Sequence, residues 1–328
     1  MVRFGIIGFG LHAVKRLMPG FAAAKNCRVS ALSRRDPARA RESAREFGIE
    51  QAFTSTAELC ASPEVDAVFV ATPDALHLAD TLEAIRHGKS VLVEKPMAMN
   101  ATEARQMVDA ARGAGVILGV AHVMRFEESV RWFRERIASG AIGRPVLARA
   151  AFVAPLIDSA RTWINDPHLA TGGPLADVGV HCLDTLRYLL GDEVKAVMAQ
   201  AQYDSRWVVE ASATSLFHFA SGTLATMSVS ARAPYQTLLE VIGENGILSA
   251  VNALNVERPV TLELRRAFDV VEKRELLNDR AYTAQVEAFA AAVEDGRPFE
   301  IPGEEGLQNQ LILDAAFRSV KSGKTEFV

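Results

Sequence analysis

The sequence predicts an α/β fold with two domains, a doubly wound parallel sheet in residues 1–122 and an α+β domain with an open, mostly antiparallel sheet in residues 123–328. Three observations predict it. A length of 328 residues is typical of about two domains. Apolar strand patterns alternate with helix patterns up to residue 122, as in parallel sheets. After that residue, strand patterns follow one another with few helices between them.

The first domain repeats a strand–helix unit from its first residues. The helix at 36–48 has the clearest signals, with Asp36 as its cap, Pro37 in its first turn and Gly48 as its stop. The helix at 12–23 is expected to be disturbed by Pro19. Strands are predicted at residues 3–8, 28–33, 51–54, 65–72, 90–95 and 116–122. Further helices are predicted at residues 56–62, 75–88 and 102–115.

The second domain is mostly strands whose apolar residues alternate with polar ones, which is typical of an antiparallel sheet with one covered face. Strands are predicted at residues 145–155, 194–203, 212–219, 223–232, 236–243, 246–250 and 260–264. Helices are predicted at residues 128–143, 173–191, 281–295 and 304–322. No repeat or low-complexity linker separates the two domains, so we expect them to pack closely.

Composition excludes several classes of protein. The formal net charge is −4 with acids and bases interspersed, so we expect neither a nucleic-acid partner nor an anionic membrane partner. No apolar run reaches about 18 residues, and the N-terminus enters a strand without a secretory leader. The three cysteines, Cys27, Cys60 and Cys182, lack CxxC spacing, which indicates a reducing compartment. We therefore expect a cytoplasmic protein.

A glycine motif follows the first predicted strand and opens the first helix. The motif is GxGxxA and comprises Gly8, Phe9, Gly10, Leu11, His12 and Ala13. Gly8 permits a tight turn, Gly10 lets a pyrophosphate approach the backbone, and Ala13 allows close contact between helix and sheet. The helix N-terminus adds free N–H groups and a positive dipole end. The context favours a dinucleotide site at these residues over a merely glycine-rich turn.

Basic residues stand where an NAD site places an acid. The second strand ends at Ser33, Arg34 and Arg35, and Arg39 follows one helical turn later. Guanidinium groups can bind a 2′-phosphate, which a carboxylate would repel. The pattern favours NADP as the cofactor, with NAD as the second choice. The alternative is that the arginines form a solvated face and Asp36 binds the ribose.

Two further strand ends supply candidates at the carboxyl edge of the same sheet. Thr72 and Pro73 end the central strand, near the expected nicotinamide, and His77 follows in the next helix. His77 is a candidate cofactor contact or a packing residue. Glu94 and Lys95 end the next strand, before Pro96, and Glu94 is a natural neighbour for the cofactor or for the lysine. Since a lysine there can donate to a substrate oxygen or exchange a proton, we favour a functional Lys95 over a structural ion pair.

The second domain supplies an acid and an imidazole on one predicted helix. Asp177 and His181 are four residues apart and would share a helix face. The imidazole can exchange a hydroxyl proton, and the carboxylate can orient it. Gly172 and Gly173 leave room for close approach. The alternative is a satisfied structural pair. Because no third ligand is spaced nearby, we expect no metal.

Together, GxGxxA, Glu-Lys-Pro after a core strand and GGPLADVGVH in the middle resemble the Gfo/Idh/MocA family of oxidoreductases over essentially the whole chain. The resemblance implies an N-terminal Rossmann domain and a C-terminal domain with an open, largely antiparallel sheet that commonly mediates dimers or tetramers. It implies oxidation or reduction of a sugar, polyol or related small molecule. Members with Ser-Arg at the end of the second strand are often NADP users.

The resemblance also assigns roles by position. Lys95, Asp177 and His181 match the catalytic trio of the family. His122 and Arg125 lie in the segment that usually lines the substrate site.

Two aromatic residues and one departure from the family pattern complete the comparison. Trp163 resembles a tryptophan that often approaches the nicotinamide, and Tyr282 opens a helix that tends to reach the active site. Asp74 stands where the family often has asparagine, which puts the conformation of that loop in doubt.

The residues and the resemblance together predict an NADP-preferring oxidoreductase that acts as a homodimer or homotetramer. Lys95 would polarise a carbonyl oxygen, and His181, oriented by Asp177, would supply the proton. Two alternatives stay open. One is a non-catalytic NADP-binding sensor, and the other is a glycosidase of the same family that oxidises and re-reduces its bound substrate.

Overall fold

The computed structural model describes all 328 residues, and its contacts divide the chain into two compact units. The first unit comprises Met1–His122, His168–Thr171 and Tyr282–Gln310, and the second comprises Val123–Pro167, Gly172–Ala281 and Leu311–Val328. These units differ from a single division after residue 122, because 168–171 and 282–310 pack with the N-terminal residues. The boundary between the two predicted domains stays a prediction.

Fifteen strands and ten α-helices make up the chain. The strands are β1 (Val2–Ile7), β2 (Cys27–Ser33), β3 (Gln51–Phe53), β4 (Ala67–Val70), β5 (Ser90–Val93), β6 (Leu118–Val120), β7 (Pro145–Val153), β8 (Val194–Tyr203), β9 (Glu210–Phe219), β10 (Leu224–Ser230), β11 (Gln236–Gly243), β12 (Ile247–Val251), β13 (Val260–Arg266), β14 (Asp269–Leu276) and β15 (Glu326–Phe327). The helices are α1 (Met18–Ala23), α2 (Pro37–Phe47), α3 (Thr56–Ala61), α4 (Asp74–Arg86), α5 (Ala101–Ala114), α6 (Glu128–Ala138), α7 (Pro174–Asp177), α8 (Gly179–Leu190), α9 (Ala281–Asp295) and α10 (Gly303–Ser322).

A six-stranded parallel sheet forms the first unit, as predicted. Its order is β3-β2-β1-β4-β5-β6, so the strand order reverses between β1 and β4. All residues of β4 are buried, which explains why that strand reads as a continuous apolar run. Parallel strands present their carboxyl ends at one edge, and ligands of such sheets bind in the crevice at the reversal point.

Local sequence signals explain most helix ends in the first unit. Asp36 accepts hydrogen bonds from two N–H groups at the start of α2, and Gly48 ends that helix with φ = 64°. The predicted disturbance of the helix over 12–23 at Pro19 is present. A π-helical segment, Ala13–Leu17, directly precedes α1, whose second residue is Pro19.

The segment 282–310 supplies apolar side chains to the core of the first unit. The Phe289 ring lies 6.0 Å from Phe4 and 5.1 Å from Phe299, centroid to centroid. A Cβ atom on Gly119 would lie 2.5 Å from the Phe299 ring, so only glycine fits β6 at this place. Gly119 and Pro302 also form an isolated antiparallel bridge. The C-terminal segment is therefore an integral part of this unit.

A nine-stranded sheet forms the second unit, in the order β14-β13-β12-β11-β7-β10-β9-β8-β15. It is mostly antiparallel, as predicted, but β7 and β10 run parallel at its centre. The alternation of apolar and polar residues could not show this, because it indicates a half-buried strand and carries no information on which strand pairs with it. The strands β14 and β15 were not predicted. All but one of the residues of β14 are charged or β-branched and exposed or half buried, so it lacks an apolar face.

One face of this sheet is covered by helices and the other is open. Helix α8 packs against β7 and β10, and α6 packs against α8. Alternate residues on the helix side, including Ala148 and Ala225, are fully buried. The opposite face carries Leu147, which is 42% exposed, and its cross-strand neighbours Leu224 and Ile242.

The cysteines are all free and buried. Burial in apolar surroundings raises the pKa of the Cys27 and Cys60 thiols to about 12. None of them is therefore a ready nucleophile. No helix in the structure combines the length and the apolar character needed to cross a membrane.

A buried carboxyl group stands at the start of α6. Glu127 is 0% exposed; it accepts a 3.3 Å hydrogen bond from Ser129 Oγ and one from the Asn255 backbone, while its Oε1 accepts none. Asn278 Nδ2 donates to Ser129 Oγ (2.9 Å) and to the Ala253 carbonyl oxygen (3.1 Å). Burial raises the pKa of Glu127 well above its ordinary value, because the charged form loses hydration.

We expect Glu127→Gln to remove a pH-dependent loss of stability. Above the ordinary glutamate pKa of 4.5, the folded state keeps a proton that the unfolded state releases, so wild-type stability falls as pH rises towards the folded pKa. The limiting slope is about 1.4 kcal/mol per pH unit. Melting temperatures measured by circular dichroism from about pH 5 to about pH 8 should show the variant gaining on the wild type.

The matched control is Glu128→Gln, at the next residue, which is exposed and pairs with Arg274. Its melting temperature should follow the wild type in parallel across the same pH range. A constant difference between Glu127→Gln and wild type at every pH would contradict the assignment of a raised pKa to Glu127.

Candidate active site

The first strand of the parallel sheet ends at a glycine that touches a neighbouring loop. Gly8 has φ = +80°, and a Cβ atom there would lie 2.6 Å from Thr72 Cγ2 and 2.7 Å from Thr72 N. Both the backbone conformation and the missing space require glycine. The loop after β1 therefore lies directly against the loop after β4, at the carboxyl edge where the strand order reverses.

The second glycine of the motif leaves open space beside the backbone. A Cβ atom on Gly10 would meet only the Gly8 carbonyl oxygen, at 3.8 Å. A pyrophosphate needs such an approach, so the loop fits a dinucleotide. Phe9 is used internally, because its ring packs against Phe47 (5.6 Å) and its N–H donates to the Ser33 carbonyl oxygen (3.1 Å). The Leu11 side chain is 43% exposed.

The end of the second strand presents the predicted arginines in two different states. Arg34 is half buried, and its Nη1 donates to Ser43 Oγ on α2 at 2.7 Å. Arg35 and Arg39 are exposed. One guanidinium is thus held against α2 and two extend into solvent, beside the buried Ser33.

Asp36 serves as the cap of α2. Its Oδ1 accepts hydrogen bonds from the N–H groups of Ala38 (2.9 Å) and Arg39 (3.1 Å). These bonds, led by the one from Arg39, hold the pKa of Asp36 below its ordinary value. The cap that the sequence predicted is therefore present, and the carboxylate is occupied by the helix N-terminus.

The loop after β4 is fixed by α4. Asp80 Oδ2 accepts from Thr72 Oγ1 at 2.8 Å. His77 is buried, with Nε2 at 2.9 Å from the Thr72 carbonyl oxygen and Nδ1 at 3.0 Å from the Pro96 carbonyl oxygen. Neither ring nitrogen is left for a hydrogen bond to a cofactor. His77 therefore links two loops of the protein, and its predicted contact with cofactor or substrate stays a prediction.

Asp74 binds the short segment 168–171, which belongs to the first unit. Its Oδ2 accepts from the Thr171 N–H at 2.9 Å, and the Ala75 N–H donates to the Leu169 carbonyl oxygen at 3.1 Å. Thr171 Oγ1 also donates to the Ala98 carbonyl oxygen at 3.2 Å. The acid that departs from the family pattern thus accepts a backbone hydrogen bond.

Three residues predicted to contact the cofactor lie together at the start of the motif helix. His12 Nε2 lies 2.8 Å from Glu94 Oε1, and the His12 ring meets the Tyr282 ring edge-on at 6.0 Å. Glu94 is buried to 9% exposure. The structure therefore brings His12, Glu94 and Tyr282 together, although they are far apart in sequence.

Lys95 directly follows the end of β5. The Glu94 N–H donates to the Val70 carbonyl oxygen (2.9 Å), which extends the pairing of β5 with β4 by one residue. The Lys95 N–H donates to Glu94 Oε2 at 3.2 Å. Lys95 is half buried, and its peptide bond to Pro96 is cis. The ammonium group thus belongs to the same sheet edge as the glycine motif.

In the second unit, Asp177 and His181 lie on two helices and not on the single predicted helix over 173–191. Helix α7 ends at Asp177, and α8 begins after Val178. Asp177 is 7% exposed and binds Arg161, whose Nη2 donates to Oδ2 at 2.9 Å and whose Nη1 donates to Oδ1 at 3.4 Å. Arg161 was not predicted, because its segment has no apolar periodicity that fixes a register.

His181 lies against aromatic side chains. It is 8% exposed, and its ring stacks on Phe152 with centroids 6.3 Å apart. Phe152 meets the Tyr235 ring edge-on at 5.7 Å, and Tyr235 OH donates to the Leu254 carbonyl oxygen at 3.2 Å. The His181 ring is therefore nearly buried and packs against one face of Phe152.

A buried glutamate that was not predicted shapes the turn before Asp177. The Glu210 carboxylate accepts hydrogen bonds from the Leu175 N–H (2.9 Å) and from the Gly173 backbone. A Cβ atom on Gly173 would lie 2.0 Å from the Glu210 carbonyl oxygen, so glycine is required there. Burial raises the pKa of Glu210, against the opposing effect of these two hydrogen bonds.

Arg125 forms a buried ion pair that was not predicted. Its Nε and Nη2 donate to Asp184 at 2.9 Å and 2.6 Å, and its guanidinium lies 5.2 Å from the Tyr188 ring centroid. Asp184 is one of several buried polar residues of α8, with His181, Thr185 and Arg187, so the helix pattern does not single it out. The predicted contact of Arg125 with a substrate stays a prediction.

Two other predicted residues have internal partners. His122 is 1% exposed, and its Nε2 lies 2.9 Å from Asn309 Nδ2. Because an amide nitrogen can only donate, Nε2 accepts and a proton on the neutral ring resides on Nδ1. Trp163 is half buried beside a cluster that includes Ile164 and Trp207. Their predicted contacts with substrate and nicotinamide stay predictions.

The two units carry complementary chemical groups. The first has a glycine loop that fits a dinucleotide and an ammonium group, and the second has a carboxylate and an imidazole. An ammonium and an imidazole can both donate to an oxygen atom, and the imidazole can also transfer a proton. No group of three or more His, Cys, Asp or Glu side chains could hold a metal ion.

Comparison with known proteins gives matches along the whole chain. The 1,5-anhydro-D-fructose reductase of Ensifer adhaerens is 34% identical, over 99% of this chain and 98% of its own length. The D-xylose 1-dehydrogenase (NADP(+)) 2 of Haloferax volcanii is 32% identical, over 98% of both. Among solved structures, the aldose-aldose oxidoreductase of Caulobacter crescentus superposes with a TM-score of 0.92 at 25% identity, over 100% of this chain and 99% of its own.

Two family descriptions match this chain, one for each part of the sequence. Residues 2–122 match the oxidoreductase family with an NAD-binding Rossmann fold, and residues 130–249 match the GFO/IDH/MocA C-terminal domain. The predicted resemblance is confirmed, and this chain belongs to the Gfo/Idh/MocA family of oxidoreductases.

Proposed function

We propose that this chain is an NADP-preferring oxidoreductase that transfers a hydride between the nicotinamide and a hydroxyl or carbonyl carbon of a sugar, polyol or related small molecule. The observation that carries the proposal is the edge of the parallel sheet, where the Gly8–Thr72 contact and the His12–Glu94 bond join the glycine loop to the loop of Lys95. The loop that fits a dinucleotide and the loop that carries the ammonium donor are thereby connected at one edge of the sheet.

The chemistry divides between the two units. NADPH, when bound, supplies the hydride. For reduction, Lys95 Nζ donates a hydrogen bond to the carbonyl oxygen, and His181 gives its proton to that oxygen as the carbon is reduced. Asp177 is held by Arg161, and its carboxylate orients the His181 imidazole. For oxidation, the neutral His181 imidazole accepts the hydroxyl proton, and Lys95 Nζ again donates a hydrogen bond to the oxygen as it becomes a carbonyl oxygen.

The substrate class is supported by the relatives. The Ensifer protein is named for an anhydro sugar and the Haloferax protein for a pentose. A family member that is a myo-inositol 2-dehydrogenase in Thermotoga maritima is 27% identical over 99% of this chain. We therefore place the substrate of this chain among sugars and polyols. The predicted cytoplasmic location stays a prediction.

The NADP preference is supported by charge at the end of β2. Arg35 and Arg39 are exposed, and Oδ1 of the Asp36 carboxylate between them is used as a helix cap. A 2′-phosphate there gains charge-assisted hydrogen bonds, each of which contributes about 1.5–3 kcal/mol.

We expect Lys95→Ala to lower kcat by about 10²-fold or more while leaving the affinity for NADP within about threefold, because the ammonium acts on the reacting oxygen and not on the phosphates. The measurement is steady-state oxidation of NADPH with a reducible sugar, together with NADP titration by calorimetry. Lys25→Ala, at an exposed lysine of the same unit, is the control and should keep wild-type kcat. Equal turnover in Lys95→Ala and wild type would exclude the mechanism.

We expect the double variant Arg35→Ala/Arg39→Ala to bind NADP about 10- to 100-fold more weakly and to bind NAD unchanged. The loss of guanidinium groups affects only the nucleotide that carries the 2′-phosphate. Calorimetric dissociation constants for both nucleotides measure the ratio. The control is Arg41→Ala, since Arg41 is exposed on the opposite side of α2 from Arg39. A parallel loss for NADP and NAD would overturn the assignment of these arginines.

We propose that the open sheet face of the second unit binds a second copy of this chain. Leu147, Leu224, Ile242 and Ile247 form a row across four neighbouring strands and are exposed or half buried. Light scattering should give two or four times the chain mass of 35.5 kDa for the wild type, and a monomer for Leu147→Arg/Leu224→Arg. Val208→Arg, at an exposed turn, should not change the mass. A monomeric wild type would overturn this proposal.

A further inference from the structure

His77 lies between two groups that can only accept hydrogen bonds. It is the fourth residue of α4 and is 1% exposed. Its Nδ1 lies 3.0 Å from the Pro96 carbonyl oxygen, and its Nε2 lies 2.9 Å from the Thr72 carbonyl oxygen. A neutral imidazole has one N–H and can donate to only one of them. Both hydrogen bonds form together only when both ring nitrogens carry protons.

Two carboxylates lie on the same side of α4 as this ring. Asp74 and Asp80 are three residues before and three residues after His77, and such residues share a helix face. Asp74 accepts from the Thr171 N–H (2.9 Å), and Asp80 accepts from the hydroxyls of Thr56 (2.6 Å) and Thr72 (2.8 Å). A buried cation needs nearby negative charge, all the more at the positive end of a helix. Asp74 and Asp80 are acidic residues that α4 places within one helical turn of His77.

The two carbonyl groups belong to different loops of the sheet edge. Thr72 lies in the loop that touches Gly8, and Pro96 follows Lys95. We propose that His77 is a positioning residue that, as a doubly protonated ring, ties these two loops together and thereby fixes the backbone beside Lys95. The link between the loops stands by itself, whereas its effect on turnover rests on the proposed function.

The ring itself gives the first test. Full-length chain with ¹⁵N-labelled histidine, without ligand at about pH 7.5, should show a His77 ring with a proton on each nitrogen. The signals are assigned by their disappearance in His77→Asn and His77→Gln. A His77 ring with only one N–H would overturn the proposal, because one of the two carbonyl groups would then have no donor.

The two variants separate the two hydrogen bonds. The asparagine amide nitrogen replaces Nδ1 and keeps the Pro96 bond, whereas the glutamine amide nitrogen replaces Nε2 and keeps the Thr72 bond. Hydrogen–deuterium exchange should therefore rise about tenfold in residues 71–76 for His77→Asn and in residues 94–99 for His77→Gln. Equal exchange of both loops in the two variants would overturn the proposal.

Kinetics show whether the link positions the reacting groups. His77→Gln should lower kcat about 10- to 100-fold with little change in the affinity for NADP, because it frees the loop of Lys95. His77→Asn should mainly weaken NADP binding, because it frees the loop that touches Gly8. Similar losses of thermal stability in both variants, with kcat of both at the wild-type value, would show a merely structural histidine and overturn the positioning role.

A control variant tests whether the effects are specific to His77, and a failure of the proposed function can be told apart from a failure of the link between the loops. His87→Asn changes an exposed histidine at the other end of α4, bonded to Glu83, and should leave exchange in both loops and kcat unchanged. If the chain turns over no sugar or polyol, the proposed function fails, while the ring spectrum and the exchange pattern still decide the link between the loops.

Discussion

The contact between Gly8 and Thr72 is the constraint on which the edge of the parallel sheet depends. No side chain fits between the two loops, so the end of β1 and the end of β4 meet at backbone distance. Neighbouring side chains stabilise this contact. Asp80 accepts a hydrogen bond from the Thr72 hydroxyl, and a His77 ring nitrogen lies 2.9 Å from the Thr72 carbonyl oxygen. The bond between Glu94 and His12 joins the glycine loop to the next loop along the edge. A phosphate-binding loop gains its geometry from neighbours of this kind, since glycine alone leaves the backbone free.

In the second unit, charged side chains near the proposed reaction are held by oppositely charged or backbone groups. Arg161 binds Asp177, Asp184 binds Arg125, and Glu210 binds the backbone of the turn that leads to Asp177. Buried charges of this kind contribute little to stability, because their lost hydration offsets the attraction. These partners fix the orientation of the side chains that they bind. The residues that would act on substrate therefore depend on residues that would not contact it.

The strand–helix order, the glycine motif and the residues at strand ends were predictable, because periodicity and turn chemistry are local properties of a sequence. The parallel pairing of β7 with β10 was not, because alternation is the same whichever neighbour a strand has. Arg161, Asp184 and Glu210 were missed for a related reason. Arg161 lies in a segment without apolar periodicity, and the partners of all three residues are set by the fold and not by the local sequence pattern. The hydrogen bonds of His77 could not be predicted from the sequence, since both acceptors are backbone atoms of two other loops.

The return of residues 282–310 to the first unit has a consequence for how the chain is made. The Phe4 ring and the cleft beside Gly119 are covered by Phe289 and Phe299, which leave the ribosome only after the whole of 123–281. During that interval the nascent sheet exposes an aromatic surface of the kind that aggregates or recruits chaperones. A fragment cut after residue 122 would keep the glycine motif and lose this cover, so we expect it to be less stable than the same residues in the full chain.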